Sequence, residues 1–284
     1  MAITSTQNHL SDACTLKFAT WNCQGLSKTK KDIAVKLDKD ILCLTETHAW
    51  RDNSSDIIFS EKPPKNDSWA GVALLVSKRV SNSIIASGSV GSRIVFCRLR
   101  GNITNYFVIG VYIPQKKKEN PNQKEIYDEL EEVLKKVGKH DCAIIMGDFN
   151  SRLPRSEPGY VGRWNLHKKC DAGGERLLEL MKQFSLRCTS TYFQPPRKHS
   201  NATYLNKQPE KPPSQIDHIL VSARWSTSVR NCTTKGEGLS ITTHGRKYDH
   251  AMVTADEKIR LKMDRRAPRK DFKTIHVKRG SRST

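Results

Sequence analysis

The chain has no C-x-x-C pair or other zinc-type spacing among its 8 cysteines, no apolar run of membrane-spanning length and no internal repeat. Its longest near-apolar run, Tyr106 to Ile113, has the length of a strand, and residues 1 to 15 are polar with no apolar core of the kind a secretory leader needs. A membrane span and a secretory leader are therefore not expected. Cys43, Cys97 and Cys142 fall inside apolar runs, where a free thiol acts as a small hydrophobe, so the expectation is a reduced, intracellular protein, with the nucleus as its compartment. Without a leader, the Asn-x-Ser/Thr triplets at Asn102 and Asn201 are discounted as glycosylation sites.

Acid is the other shortage. Asp and Glu number 29 against 49 Lys and Arg, a net charge of +20. Residues 256 to 284 hold 11 of those bases and 4 acids, so both the body and the tail are basic. Such an excess attracts phosphate-rich polymers or an anionic membrane surface without choosing between them. A length of 284 residues suits one large two-sheet domain with tails.

What the chain does have is a series of apolar strands ending in polar groups. Ala143-Ile144-Ile145-Met146 needs burial on both faces and runs through Gly147 into Asp148-Phe149-Asn150; in an extended backbone Asp148 and Asn150 point the same way. Taken alone, that stretch reads first as a polar turn closing a strand. Leu16 to Asn22 alternates like a strand and is broken by Gly25, and Ile41 to Leu44 runs into Thr45-Glu46-Thr47-His48. Between them, Ser27 caps a lysine-rich helix carrying Ile33, Val35 and Leu37.

Residues 51 to 68 read as a loop, followed by strands at Gly71 to Val76, Ile94 to Leu99 and Tyr106 to Ile113, the last stopped by Pro114. Helical spacing covers Gln123 to Val137 and Glu175 to Phe184, and Leu186 to Thr191 looks like a strand. The proline-rich stretch from 194 to 213 reads as irregular, either a solvated connection or a nucleic-acid contact. Ile216 to Val221 places Asp217 among apolar neighbours, where it needs a partner, and a histidine elsewhere is a natural one. A last strand begins with Asp249-His250, and beyond Glu257 the charged tail is expected to be disordered or a linker.

The strand ends thus offer Asn22, Glu46, Tyr112, Asp148, Asn150, Asp217, Asp249 and His250. Carboxylates suit a hard cation such as Mg2+ that keeps water and phosphate oxygens in its shell, and amides, a phenol and an imidazole can hold the remaining oxygens.

In sequence order, Trp21-Asn22-Cys23-Gln24-Gly25-Leu26, Leu44-Thr45-Glu46-Thr47-His48, Val111-Tyr112-Ile113-Pro114, Gly147-Asp148-Phe149-Asn150, Ser214-Gln215-Ile216-Asp217-His218-Ile219-Leu220 and Tyr248-Asp249-His250 resemble the endonuclease/exonuclease/phosphatase superfamily. Within it they are most similar to the apurinic-endonuclease-type domain of LINE-type (non-LTR) retrotransposons, across about residues 16 to 256. The stretch Gly162 to Phe184 carries the same likeness.

The resemblance implies an α/β, deoxyribonuclease-I-like, four-layered sandwich of two mixed sheets with helices outside. It implies a polar leader over 1–15, the domain over 16–256 and a basic tail over 257–284. The implied activity is Mg2+-dependent DNA cleavage, with Mn2+ as a substitute, leaving a 3′-hydroxyl and a 5′-phosphate. Glu46 and Asn22 are then metal residues, Asp249 sits next to the metal or supports the acid–histidine pair, Asp148 orients or deprotonates the water, and Asn150 and Tyr112 hold the phosphate. Asp217 and His250 form an acid–histidine pair, and Lys116, Lys117, Arg197, Lys198, Arg246 and Lys247 track DNA phosphates. A reverse transcriptase domain in the same polyprotein is an implied partner.

The chain departs from the family pattern at Gln24, where repair-type members carry an acid, at Tyr248, which replaces a serine, and at Asp171, where asparagine is common. Abasic-site repair, a binding-only remnant of such an enzyme and, against the positive charge, a phosphoinositide-type phosphatase stand as alternatives.

Overall fold

The computed structural model describes residues 14–51, 56–65, 67, 69–101, 103–115, 123–196, 200–206, 210–235, 249–259 and 275–276. The first part of the chain forms β1 (Cys14–Asn22), α1 (Lys28–Lys36), β2 (Ile41–Thr45), β3 (Ile57–Phe59), β4 (Val72–Val76), α2 (Lys78–Ser81) and β5 (Ile84–Val90). The middle forms β6 (Ile94–Leu99), β7 (Tyr106–Tyr112), α3 (Gln123–Leu134), β8 (Cys142–Asp148), α4 (Ala172–Gln183) and β9 (Leu186–Cys188). The last part forms β10 (Asp217–Ser222), β11 (Val229–Lys235), β12 (Met252–Ile259) and β13 (Ile275–His276).

These strands make two mixed sheets, a six-stranded one in the order β11-β12-β1-β2-β4-β3 and a seven-stranded one in the order β13-β5-β6-β7-β8-β10-β9. Three apolar clusters show how the layers stack. Alternate residues of β1, β2, β4, β7 and β8, such as Phe18, Cys43, Leu74, Val108 and Ile144, meet between the sheets. The intervening residues face helices. Leu42, Leu44 and Leu75 lie with Ala34 of α1, whereas Ile109 and Ile145 lie with Leu130 of α3 and Leu177 of α4. Two sheets face to face with helices on both outer sides are the four layers the family resemblance implies.

Ser27 caps α1 through its hydroxyl, which accepts from the Lys30 backbone N–H at 3.3 Å. The apolar positions expected to bury that helix do not all do so, because Val35 is 61% exposed and the buried positions are Lys30 and Ala34. Lys30 extends its ammonium to the carbonyls of Cys23 and Gln24 at 2.5 and 3.0 Å, so a lysine pins the loop after β1. Four of the described strands escape the sequence reading: β3 inside the expected loop, β5 and β11, which are polar enough to lack a clean apolar pattern, and the two-residue β13 in the tail. The expected strand from 186 to 191 is β9 followed by a 3-10 turn, and the proline-rich stretch contributes a bridge between Tyr204 and Ser214. β12 runs to Ile259, and residues 275–276 of the tail pair in parallel with β5.

Gly147, next to Asp148, is required by packing as well as by backbone. Its φ is +156°, and a Cβ there would lie 1.8 Å from the Val111 carbonyl oxygen of the neighbouring strand. We expect Gly147→Ala to destabilise the fold by about 3 kcal/mol, since overpacking a central strand forces the backbone apart. A denaturant midpoint equal to that of the parent chain would refute this.

Candidate active site

Strand alternation explains why the polar residues converge. Tyr112 continues the inter-sheet series of Tyr106 and Val108 on β7, and Asp148 continues that of Ile144 and Met146 on β8. Asp217 heads the series of Ile219 and Val221 on β10, and Asn22 ends the inter-sheet face of β1. Tyr112 pairs with Asp148 and Asp148 with Asp217 across adjacent strands, so three of the residues lie side by side at one sheet end.

Glu46 follows β2 and reaches the site by a different device, a left-handed backbone with φ of 51°. Gln24, His48 and Asn150 share that conformation, at 47°, 53° and 47°. Non-glycine residues seldom adopt it, and its concentration in the strand-end motifs marks segments shaped for side-chain placement. The expectation that Asp148 and Asn150 point together from an extended backbone is corrected here. Asn150 turns, its N–H donates to Asp148 Oδ1 at 2.8 Å, and its side-chain amide donates to the Ile113 carbonyl at 2.9 Å.

Asn22 joins the two halves of the site, its amide donating to Glu46 Oε1 at 2.9 Å and to Asp148 Oδ2 at 3.0 Å. Tyr112 donates its hydroxyl to the same Glu46 oxygen at 2.9 Å. His250 Nδ1 lies 3.0 Å from Asp217 Oδ2, the acid–histidine pair expected from the sequence. Asp217 is fully buried and its Oδ1 has no hydrogen-bond partner among the described residues.

Electrostatics sharpen the division of labour. Burial, and then the neighbouring Asp217 carboxylate, push the Asp148 carboxyl up to about 8. Burial alone would lower His250, but the Asp217 carboxylate and its hydrogen bond, helped by Asp148 and Asp249, raise it to about 10. His250 is therefore protonated at neutral pH, a donor more than a metal ligand. Burial, with Glu46 and Asp148 nearby, also holds the Tyr112 phenol well above its ordinary value, so it keeps its proton.

One ligand atom each from Asp148, Asp217 and His250 lie within 4.8 Å of one another. Because His250 is already committed to Asp217, we read this trio as a proton-handling unit. The oxygen donors Glu46 and Asn22, with Asp249 beyond Gln24, are the set whose chemistry suits a hard cation. Glu46 uses one oxygen for both of its hydrogen bonds, and the orphaned Asp217 oxygen adds negative potential nearby, so the residues present fit such an ion.

Gln24, where the family resemblance suggests an acid, donates its amide to Asp249 Oδ1 at 2.6 Å. Several supporting residues escape sequence reasoning. The Thr203 hydroxyl accepts from the Ile216 and Asp217 backbone N–H groups at 3.0 Å each, and the Tyr204 ring packs 5.0 Å from His250. The Arg93 guanidinium lies over the Tyr112 ring at 4.9 Å and pairs with Asp67 at 2.5 Å. A lone Thr, Tyr or Arg outside any motif carries no local signal for such a role. Asp171, given no role from sequence, caps α4 by accepting from Gly174 N–H at 2.7 Å. His218 is a buried structural group, 3.0 Å from the Ser151 carbonyl. The expected DNA contacts Lys116, Lys117, Arg197, Lys198, Arg246 and Lys247, and Tyr248 with them, lie outside the described residues.

Comparison with known proteins bears on the family and the fold. The chain is 31% identical over 253 residues to craniofacial development protein 2 of Bos taurus, a match covering 86% of this chain and 41% of that protein. The chain thus spans about two fifths of that relative's length. In fold it is similar to the 3′ phosphatase NExo from Neisseria, bound to a product DNA hairpin, with a TM-score of 0.62 at 18% identity over 85% of this chain and 99% of the other. It is similar as well to the endonuclease domain of TRAS1, a telomere-specific non-LTR retrotransposon, with a TM-score of 0.59 at 14% identity, covering 87% and 99%. The retrotransposon likeness expected from sequence therefore stands at the level of fold, while the sequence relative bears a developmental name. The family pattern described as "Endonuclease/Exonuclease/phosphatase family" matches residues 19–238, most of the folded body, and the chain belongs to that family.

Proposed function

We propose that the chain is a divalent-cation-dependent DNA endonuclease. It hydrolyses one phosphodiester by direct attack of water, leaving a 3′-hydroxyl and a 5′-phosphate. The observation that carries this reading is the bridge made by Asn22 between Glu46 and Asp148, which sets a cation-type carboxylate beside a carboxyl poised near neutrality. Mg2+ held by Glu46, Asn22 and Asp249, or Mn2+ in its place, would neutralise charge on the phosphate and the departing oxygen.

The protein groups do the rest. Asp148 orients the attacking water and, in its ionised form, which pH rising through about 8 supplies, accepts the proton. Protonated His250, fixed by Asp217, donates to a phosphoryl oxygen, and Tyr112 and Asn150 steady the phosphate. A net charge of +20 favours a polyanionic substrate over a small phosphoester. The TRAS1 endonuclease fold and the order of the motifs support a further step, in which nicking of nuclear target DNA supplies the 3′-hydroxyl that primes a reverse transcriptase of the same polyprotein.

The test is conversion of supercoiled plasmid to nicked circle with Mg2+ and with EDTA, followed by extension of the nick with a DNA polymerase. Nicking only with Mg2+, at ends that extend without processing, is the expected result. Nicking that persists in EDTA, or ends that cannot be extended, would overturn the assignment.

A further inference from the structure

Of the tryptophans, Trp21 is fully buried, whereas Trp50 and Trp69 stand 38% and 59% exposed. A single exposed aromatic is ordinary, but these two flank the turn that carries Glu46. Thr47 N–H donates to the Gly71 carbonyl at 3.0 Å, and the Thr47 hydroxyl donates to the Ala49 carbonyl at 2.9 Å, so the loop leaving β2 lies against the loop entering β4. The contact is tight. A Cβ on Gly71 would fall 2.4 Å from the Thr47 hydroxyl and 3.1 Å from His48 N.

The His48 ring bridges from this rim to the site. It meets Trp69 edge to face at 5.4 Å, and its Nδ1 would lie 3.3 Å from a Cβ placed on Gly25, in the loop that holds Asn22 and Gln24. Trp50, two residues on from His48, has the Lys62 ammonium 5.0 Å from its ring centre. Each indole thus has an ordering neighbour while part of its surface faces solvent, and one has a cation over its ring. Aromatic rings with a cation at hand are the elements by which proteins hold unpaired bases: every base has a face to stack on, and the cation serves the adjoining phosphate.

Resting on the nuclease reading above, we propose that Trp50 and Trp69 form a stacking platform for unpaired bases of the DNA strand beside the scissile phosphate. In paired DNA the base faces are buried in the stack. The platform therefore favours sites where the duplex is interrupted or readily opened, a substrate preference that charge alone cannot create.

The 284-residue chain in EDTA, which separates binding from cleavage, is titrated with a fluorescently labelled duplex interrupted by a single-stranded gap and with the same duplex fully paired. Labelled-DNA anisotropy and tryptophan emission are read over a range of salt. We expect the gapped DNA to quench wild-type emission, and Trp50→Ala and Trp69→Ala each to weaken gapped-DNA binding about tenfold. The slope of affinity against salt stays unchanged, because no phosphate contact is lost. Trp50→Phe and Trp69→Phe retain most of the affinity, and binding to the paired duplex changes less than twofold. Wild-type affinity in both alanine variants, or an equal loss on both DNAs, overturns the platform while leaving the nuclease reading standing. A wild-type chain that binds neither DNA overturns that reading and the platform with it.

Discussion

Replacing Asp148 with asparagine should lower the rate of plasmid nicking at least about a thousandfold, the scale of loss when a positioned base or charge-stabilising group is removed. The shape of the site is kept, but an amide cannot take the proton of the attacking water. Its single carbonyl oxygen also cannot accept from both donors now converging on the carboxylate, the Asn22 amide and the Asn150 N–H. DNA affinity in EDTA should hold or rise, since a buried acid facing the phosphate is lost. Single-turnover rates and anisotropy on the same preparations separate the two effects. A rate within tenfold of the parent would remove Asp148 from the chemistry. His250→Ala is a less clean probe, because it leaves Asp217 buried without the partner of its Oδ2 and so destabilises the fold as well.

The second large effect lies away from the site. Glu257 on β12 is 1% exposed, pairs across the sheet with Leu16 and Val229, and accepts from the Ser228 hydroxyl through Oε1 while its Oε2 has no partner among the described residues. Burial pushes its carboxyl up to about 7, against the opposing hydrogen bonds from Ser228 and Cys142. The folded chain therefore binds a proton that the unfolded chain releases above about pH 4.5, and stability from this group falls as pH rises from there to about 7 and then levels. The difference is about 3 kcal/mol at alkaline pH. Glu257→Gln, neutral at every pH, should match the parent near pH 4 and exceed it by about 2 to 3 kcal/mol at pH 8. Chemical denaturation at the two pH values measures this directly. A variant whose advantage does not grow with pH would show that the acid is solvated in solution.

Much of the candidate site was legible because strand alternation is a local property. Once Ala143 to Met146 is a buried strand and Tyr106 to Ile113 another, the period of two fixes which of their last residues share a face, and Tyr112 and Asp148 do. Asp217 could be assigned a histidine partner for a related reason, since a carboxylate amid apolar neighbours needs one. The direction of Asn150 is not legible in this way, because its backbone turns left-handed and nothing in Asp-Phe-Asn announces that turn. β5 and β11 were missed because their residues pair through the backbone while offering few apolar side chains to reveal it.

The amino-acid order by itself determined the apolar strands, the polar groups at their ends, the basic charge and the family likeness, all set by neighbours close along the chain. The tertiary structure alone decided how those ends meet. Asn22 reaches Asp148 across 126 positions of sequence, Gln24 ties down Asp249 across 225, and two tryptophan-bearing loops close beside Glu46. Such contacts depend on strand order, on left-handed turns and on which loops the packed sheets bring together. Local propensity has no term for these, because the free energy that fixes them comes from burying both sheets at once.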